Sequence, residues 1–75
     1  MTTVDARGLA CPLPLTMAKR QMALLAPGET LVVLATDPEA PIDLAAWAAD
    51  EGHQLELRRH EGWSEFELVK AGAAG

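Results

Sequence analysis

The sequence predicts an α/β fold in which two helices pack on a four-stranded sheet, with the element order βαβαββ. Three observations predict it. Two segments carry apolar residues at helical spacing, one closed by Ala26-Pro27-Gly28 and the other by Gly52. Between them runs Leu31-Val32-Val33-Leu34, an apolar stretch without alternation that suits a strand central in its sheet or covered on both faces. Finally, two alternating runs flank Gly62 and read as an antiparallel hairpin with one wet face. Because a parallel crossover puts its helix on one side of the sheet, the economical arrangement is both helices on one face.

Thr2-Thr3-Val4-Asp5-Ala6 is β-tolerant and stops at Gly8, giving a first strand and a tight turn. The first helix is predicted from about Pro12 to Leu25. Its apolar stripe runs through Pro14, Leu15, Ala18, Met22 and Leu25, with Thr16, Lys19, Arg20 and Ala23 facing water and Leu13, Met17 and Leu24 on the border. Glu29–Thr36 is the second strand, and Asp37-Pro38-Glu39 signals a helix entry. The second helix is predicted from Ala40 or Pro41 to Glu51, with Ile42, Ala45, Ala46 and Ala49 buried and Trp47 covering the edge of that stripe. Leu55 and Leu57 then oppose Glu56 and Arg58, and Phe66 and Leu68 oppose Glu65 and Glu67. One domain over residues 1–70 is expected, with 71–75 a frayed tail that has nothing to bury.

Composition narrows the function. A single cysteine forms no internal disulfide, and no run approaches the ~20 apolar residues of a membrane span, so a cytoplasmic protein is expected. The net charge of −5 speaks against a free-standing nucleic-acid binder. Charge is uneven, however. Up to Gly28, Arg7, Lys19 and Arg20 face Asp5 alone; from Glu29 onward, Arg58, Arg59 and Lys70 face ten acids. The cysteine therefore lies in the net-basic part of the sequence.

That cysteine is the focus of Gly8-Leu9-Ala10-Cys11-Pro12-Leu13-Pro14. Proline costs a helix interior roughly 3 kcal/mol but little in the first turn. Both prolines are accommodated if the helix begins at about Pro12, which puts Cys11 at or next to the N-cap. The helix dipole there is worth about 1 kcal/mol, enough to lower a thiol pKa by about one and favour the reactive thiolate. Read from the residues alone, Cys11 is either such a nucleophile or a buried structural thiol. Gly8, Pro12 and Pro14 would position it. Arg7, Lys19 and Arg20 are solvated charges or thiolate-stabilising and partner-docking groups, and Leu13 and Met17 are peripheral core or a docking rim. His53 and His60 make no metal-ligand spacing with Cys11, so no metal is expected. Asp5, Asp37 and Asp43 read as turn and cap residues.

The chain resembles the TusA/SirA-type sulfur carriers, the CPxP proteins, over roughly residues 4–70. The resemblance rests on Asp5-Ala6-Arg7-Gly8-Leu9-Ala10-Cys11-Pro12-Leu13-Pro14, Pro27-Gly28-Glu29, Asp37-Pro38, Asp43, Trp47 and Gly52-His53. It implies a two-layer α/β sandwich with a mixed sheet, and a monomer that docks transiently. It also implies that Cys11 accepts sulfane sulfur as a persulfide from a cysteine desulfurase or a rhodanese-like donor. Onward transfer would serve tRNA 2-thiouridine formation, molybdenum-cofactor enzymes or sulfur metabolism. Pyridoxal phosphate would belong to the donor, so no cofactor is expected here, nor direct contact with nucleic acid or membrane. Ala45 and Ala48 stand where many members carry proline and cysteine, and Leu13 where some carry a polar residue. A regulatory or redox-sensing interaction module is the alternative reading.

Overall fold

Six elements follow one another in the predicted order: β1 (Thr2–Ala6), α1 (Leu13–Ala23), β2 (Thr30–Ala35), α2 (Ala40–Glu51), β3 (Gln54–His60) and β4 (Trp63–Val69). The computed structural model describes residues 1–72, so most of the expected tail lies outside the described residues. Within it, Ala71 is half-buried, and its N–H donates to His53 Nδ1 at 2.9 Å.

The strands form one sheet in the order β1-β2-β4-β3. β1 runs parallel to β2, whereas β4 is antiparallel to both of its neighbours, so the sheet is mixed. Period-two alternation decides its two faces. Val4 and Ala6, Leu31, Val33 and Ala35, and Phe66 and Leu68 point to one side and are buried there against Ala18 and Met22 of α1 and Ala40, Leu44 and Ala48 of α2. Among the described residues the other side carries no helix. On it Arg58 bridges Glu56, Glu65 and Glu67 at 3.0, 3.2 and 2.7 Å. The apolar run in β2 is explained by its interior position: even Val32, on the helix-free side, is 8% exposed.

α1 has the predicted stripe, with Pro14, Ala18 and Met22 buried and Leu15 and Leu25 half-buried. Leu24 is more exposed than a border position, at 78%. The carbonyls at and just past the C-terminus of α1 gain a distant partner: Lys70 Nζ donates to Met22 O at 2.9 Å and to Leu25 O at 2.6 Å. A cation at this end also complements the helix dipole.

α2 has the predicted bounds but the opposite buried face. Ala40, Leu44 and Ala48 are buried and Trp47 is half-buried, whereas Ala45, Ala46 and Ala49 are exposed and Ile42 is 66% exposed. Alanines say little about the phase of a helix, so the choice rests on its three large apolar residues. At 100° per residue, Leu44 and Trp47 share a face that excludes Ile42, and burying the pair removes more apolar surface from water. Gly52, with φ of 77°, ends the helix in the left-handed conformation that glycine adopts without strain.

Candidate functional site

The segment carrying Cys11 is fixed at both ends. After β1, Leu9 N–H closes a turn onto Ala6 O at 3.2 Å, and Gly8 takes the positive φ, 83°, that the third position of such a turn requires. Gly8 N–H also donates to Thr36 Oγ1 at 2.9 Å, tying the turn to the end of β2. On the other side, Leu13 N–H reaches Ala10 O at 2.9 Å, and Pro12 becomes the N-cap of α1 with Pro14 in the first turn. The Cys11–Pro12 peptide is cis. Pro14 is fully buried and roots the turn in the core, while Pro12 is exposed. Cys11 thus stands one residue outside the helix on a surface turn, exposed to solvent as a free thiol.

The electrostatics differ from the sequence expectation. Cys11 Sγ lies 3.2 Å from Asp43 Oδ2, a carboxylate from the first turn of α2. An ionised carboxylate only accepts, so the thiol donates, and this hydrogen bond is lost when the sulfur ionises. Asp43 therefore pushes the thiol above its ordinary range, aided by desolvation and by the charges of Asp37 and Glu39. The expected fall in pKa is reversed. A dipole worth about 1 kcal/mol acts within the first turn, and Cys11 stands outside the cap with a carboxylate in direct contact.

The basic residues close to Cys11 in sequence are occupied elsewhere or face outward. Arg7 makes a two-pronged pair with Asp5, Nε to Oδ1 and Nη2 to Oδ2 each at 2.9 Å. That pair holds the Asp5 carboxyl at about 2. The same guanidinium lies 5.1 Å from the Trp63 ring centre, and His60 stacks on Trp63 at 4.0 Å. Lys19 and Arg20 are exposed on α1. The charged side chains that raise the Cys11 thiol, Asp43, Asp37 and Glu39, are all acidic. Leu13, 47% exposed, follows the cysteine by two residues, and Met17 is half-buried against the core. Among the described residues no group of three His, Cys, Asp or Glu side chains is placed to hold a metal.

Sequence reasoning assigned Asp43 to helix capping and missed its contact with the thiol. A separation of 32 positions in sequence hides it, since only the docking of α2 beside α1 brings them together. An acid in the first turn of a helix has an ordinary explanation in the dipole, so composition gave no separate signal.

Comparison with known proteins places this geometry. The chain is 39% identical over 67 residues to the sulfur carrier protein TusA of Allochromatium vinosum, covering 89% of this chain and 88% of that one. It is 47% identical over 59 residues to YrkF of Bacillus subtilis, covering 79% of this chain but 32% of YrkF, so it spans about a third of that relative's length. The crystal structure of a SirA-like protein from Desulfitobacterium hafniense superposes with a TM-score of 0.86 at 33% identity, over 97% of this chain and 100% of the other. Residues 2–70 match the model of the family described as sulfurtransferase TusA, and the chain belongs to that family.

Proposed function

We propose that this protein is a sulfur-relay carrier in which Cys11 accepts sulfane sulfur as a persulfide and hands it to an acceptor protein. The observation that carries the reading is the placement of the chain's one sulfhydryl: exposed, on a turn rooted by Gly8 and Pro14, in a member of the TusA family. Exchange between sulfurs needs an accessible nucleophile with room for in-line approach, and a surface turn provides it where a deep pocket would not. A thiolate of Cys11 attacks the terminal sulfur of a donor persulfide. The donor S–S bond breaks as the new one forms, and the donor thiolate leaves. The reverse geometry then delivers the sulfur to a cysteine on the next protein.

The donor is a cysteine desulfurase or a rhodanese-like protein, with any pyridoxal phosphate held there. The acceptor belongs to tRNA thiolation, molybdenum-cofactor enzyme maturation or sulfur metabolism. The carrier acts in the cytoplasm as a monomer, and Leu13, Met17, Lys19 and Arg20 form the rim that partners touch. The test is incubation with a cysteine desulfurase and free cysteine, followed by intact mass. A reductant-sensitive gain of one sulfur, absent from Cys11→Ser, supports the proposal. No gain with either class of donor supports a regulatory module instead.

A further inference from the structure

The polar contact made by the Cys11 sulfur is with an anion, 3.2 Å away at Asp43 Oδ2. Such a contact has two opposite values. It is attractive while the sulfur carries its proton and repulsive once the proton has left. The side chains around the sulfur push the same way. Asp37 and Glu39, from the segment leading into α2, add negative charge, while Arg7 on the cysteine's own loop is bound to Asp5. Lys19 and Arg20, on α1, are exposed to solvent.

We propose that Asp43 is a positioning residue for sulfur acceptance: its carboxylate aims the Cys11 thiol and keeps it protonated in the free protein, restraining its reaction with stray electrophiles. The proposal rests on the reading of Cys11 as the sulfur-accepting atom. It assigns Asp43 a holding role and not that of a general base. An ordinary carboxyl releases its proton about five pH units below an ordinary thiol, so a proton moving from Cys11 to a carboxylate would go strongly uphill. In the transfer step the thiol proton instead ends on the departing donor thiolate. The Cys11 sulfur bonds to the terminal sulfur of the donor persulfide, the donor S–S bond breaks, and that terminal sulfur keeps its hydrogen. One persulfide and one thiol become another persulfide and another thiol, and no oxidant or reductant is consumed.

The test is the pH profile of Cys11 alkylation by iodoacetamide in the full chain, compared with Asp43→Asn, Asp43→Ala and Asp43→Glu. Two unit charges about 4 Å apart in water interact by a factor of about five in equilibrium. Asp43→Asn and Asp43→Ala should therefore move the midpoint of the profile to lower pH and raise the alkylation rate at pH 7 about fivefold. Asp43→Glu should stay near the parent, and Asp37→Asn, which removes a more distant charge, should move the midpoint less. A purely structural role for Asp43 would alter thermal stability and leave the midpoint in place. An Asp43→Asn midpoint equal to or above the parent's overturns the proposal. Sulfur uptake from a cysteine desulfurase is measured on the same proteins. Uptake by none of them overturns the carrier reading of Cys11, while the alkylation midpoints still decide whether Asp43 holds the proton.

Discussion

Replacing Leu44 by alanine tests how α2 sits on the sheet, and with it the placement of Asp43 beside Cys11. Leu44 has no exposed surface and is among the largest fully buried side chains, with Phe66, Leu31 and Leu68. Truncating such a leucine removes its transfer free energy and leaves a cavity, at a cost of about 2–5 kcal/mol. A folded chain of 75 residues holds about 4–11 kcal/mol in total, so this one change takes a large share of it. With a urea slope of about 1 kcal/mol per molar for so small a protein, the unfolding midpoint should fall by about 2 M or more. Ile42→Ala is the control, because Ile42 is 66% exposed and should change stability by less than about 0.5 kcal/mol. Urea unfolding of both variants, followed by far-ultraviolet circular dichroism, decides the matter. A larger loss for Ile42→Ala than for Leu44→Ala would refute the packing and turn α2 half a revolution, carrying Asp43 away from the thiol.

Two further predictions concern the rest of the scaffold. Arg7→Ala should return the Asp5 carboxyl from about 2 toward the ordinary value of 3.8, as read by carbon NMR titration. Since folding lowers that pKa, the pair contributes stability above the ordinary carboxylate range and loses it as pH falls from about 4 to about 2, and this acid-dependent loss should shrink in Arg7→Ala. Lys70→Met should cost about 1–2 kcal/mol, because it leaves the Met22 and Leu25 carbonyls without the ammonium that bonds both. Faster amide exchange in the last turn of α1 should accompany that loss.

Most of the architecture was legible because it follows from periods and punctuation. The hairpin showed in the opposition of Leu55 and Leu57 to Glu56 and Arg58, and the two prolines confined α1 to a start beside Cys11. The unalternating run Leu31–Leu34 marked β2 as an interior or doubly covered strand, but the full order β1-β2-β4-β3 emerged only from the fold, since nothing local in the sequence says that β4 and not β3 lies beside β2. The rotation of α2 was not legible, since five of its twelve residues are alanines whose burial contributes little to any periodic signal. At the site, Cys11 and the glycine and prolines that set its turn could be read from one short stretch. Its electrostatics could not, because linear charge balance assigns Cys11 to basic surroundings whereas the fold sets it against acids contributed by a later segment. Arg7 illustrates the same failure: it is four residues from Cys11 in sequence, yet its charge is committed to Asp5 and Trp63.

The most direct measurement of the central claim locates the transferred sulfur on the chain. After exposure to a cysteine desulfurase and cysteine, the protein is trapped with iodoacetamide and cut with trypsin, which releases Gly8–Lys19 as a peptide containing Cys11. The account predicts that this peptide gains one additional sulfur, removed by reductant and transferable to a second thiol protein. An unmodified peptide after exposure to active donors of both classes, with Cys11 still open to alkylation, would contradict it.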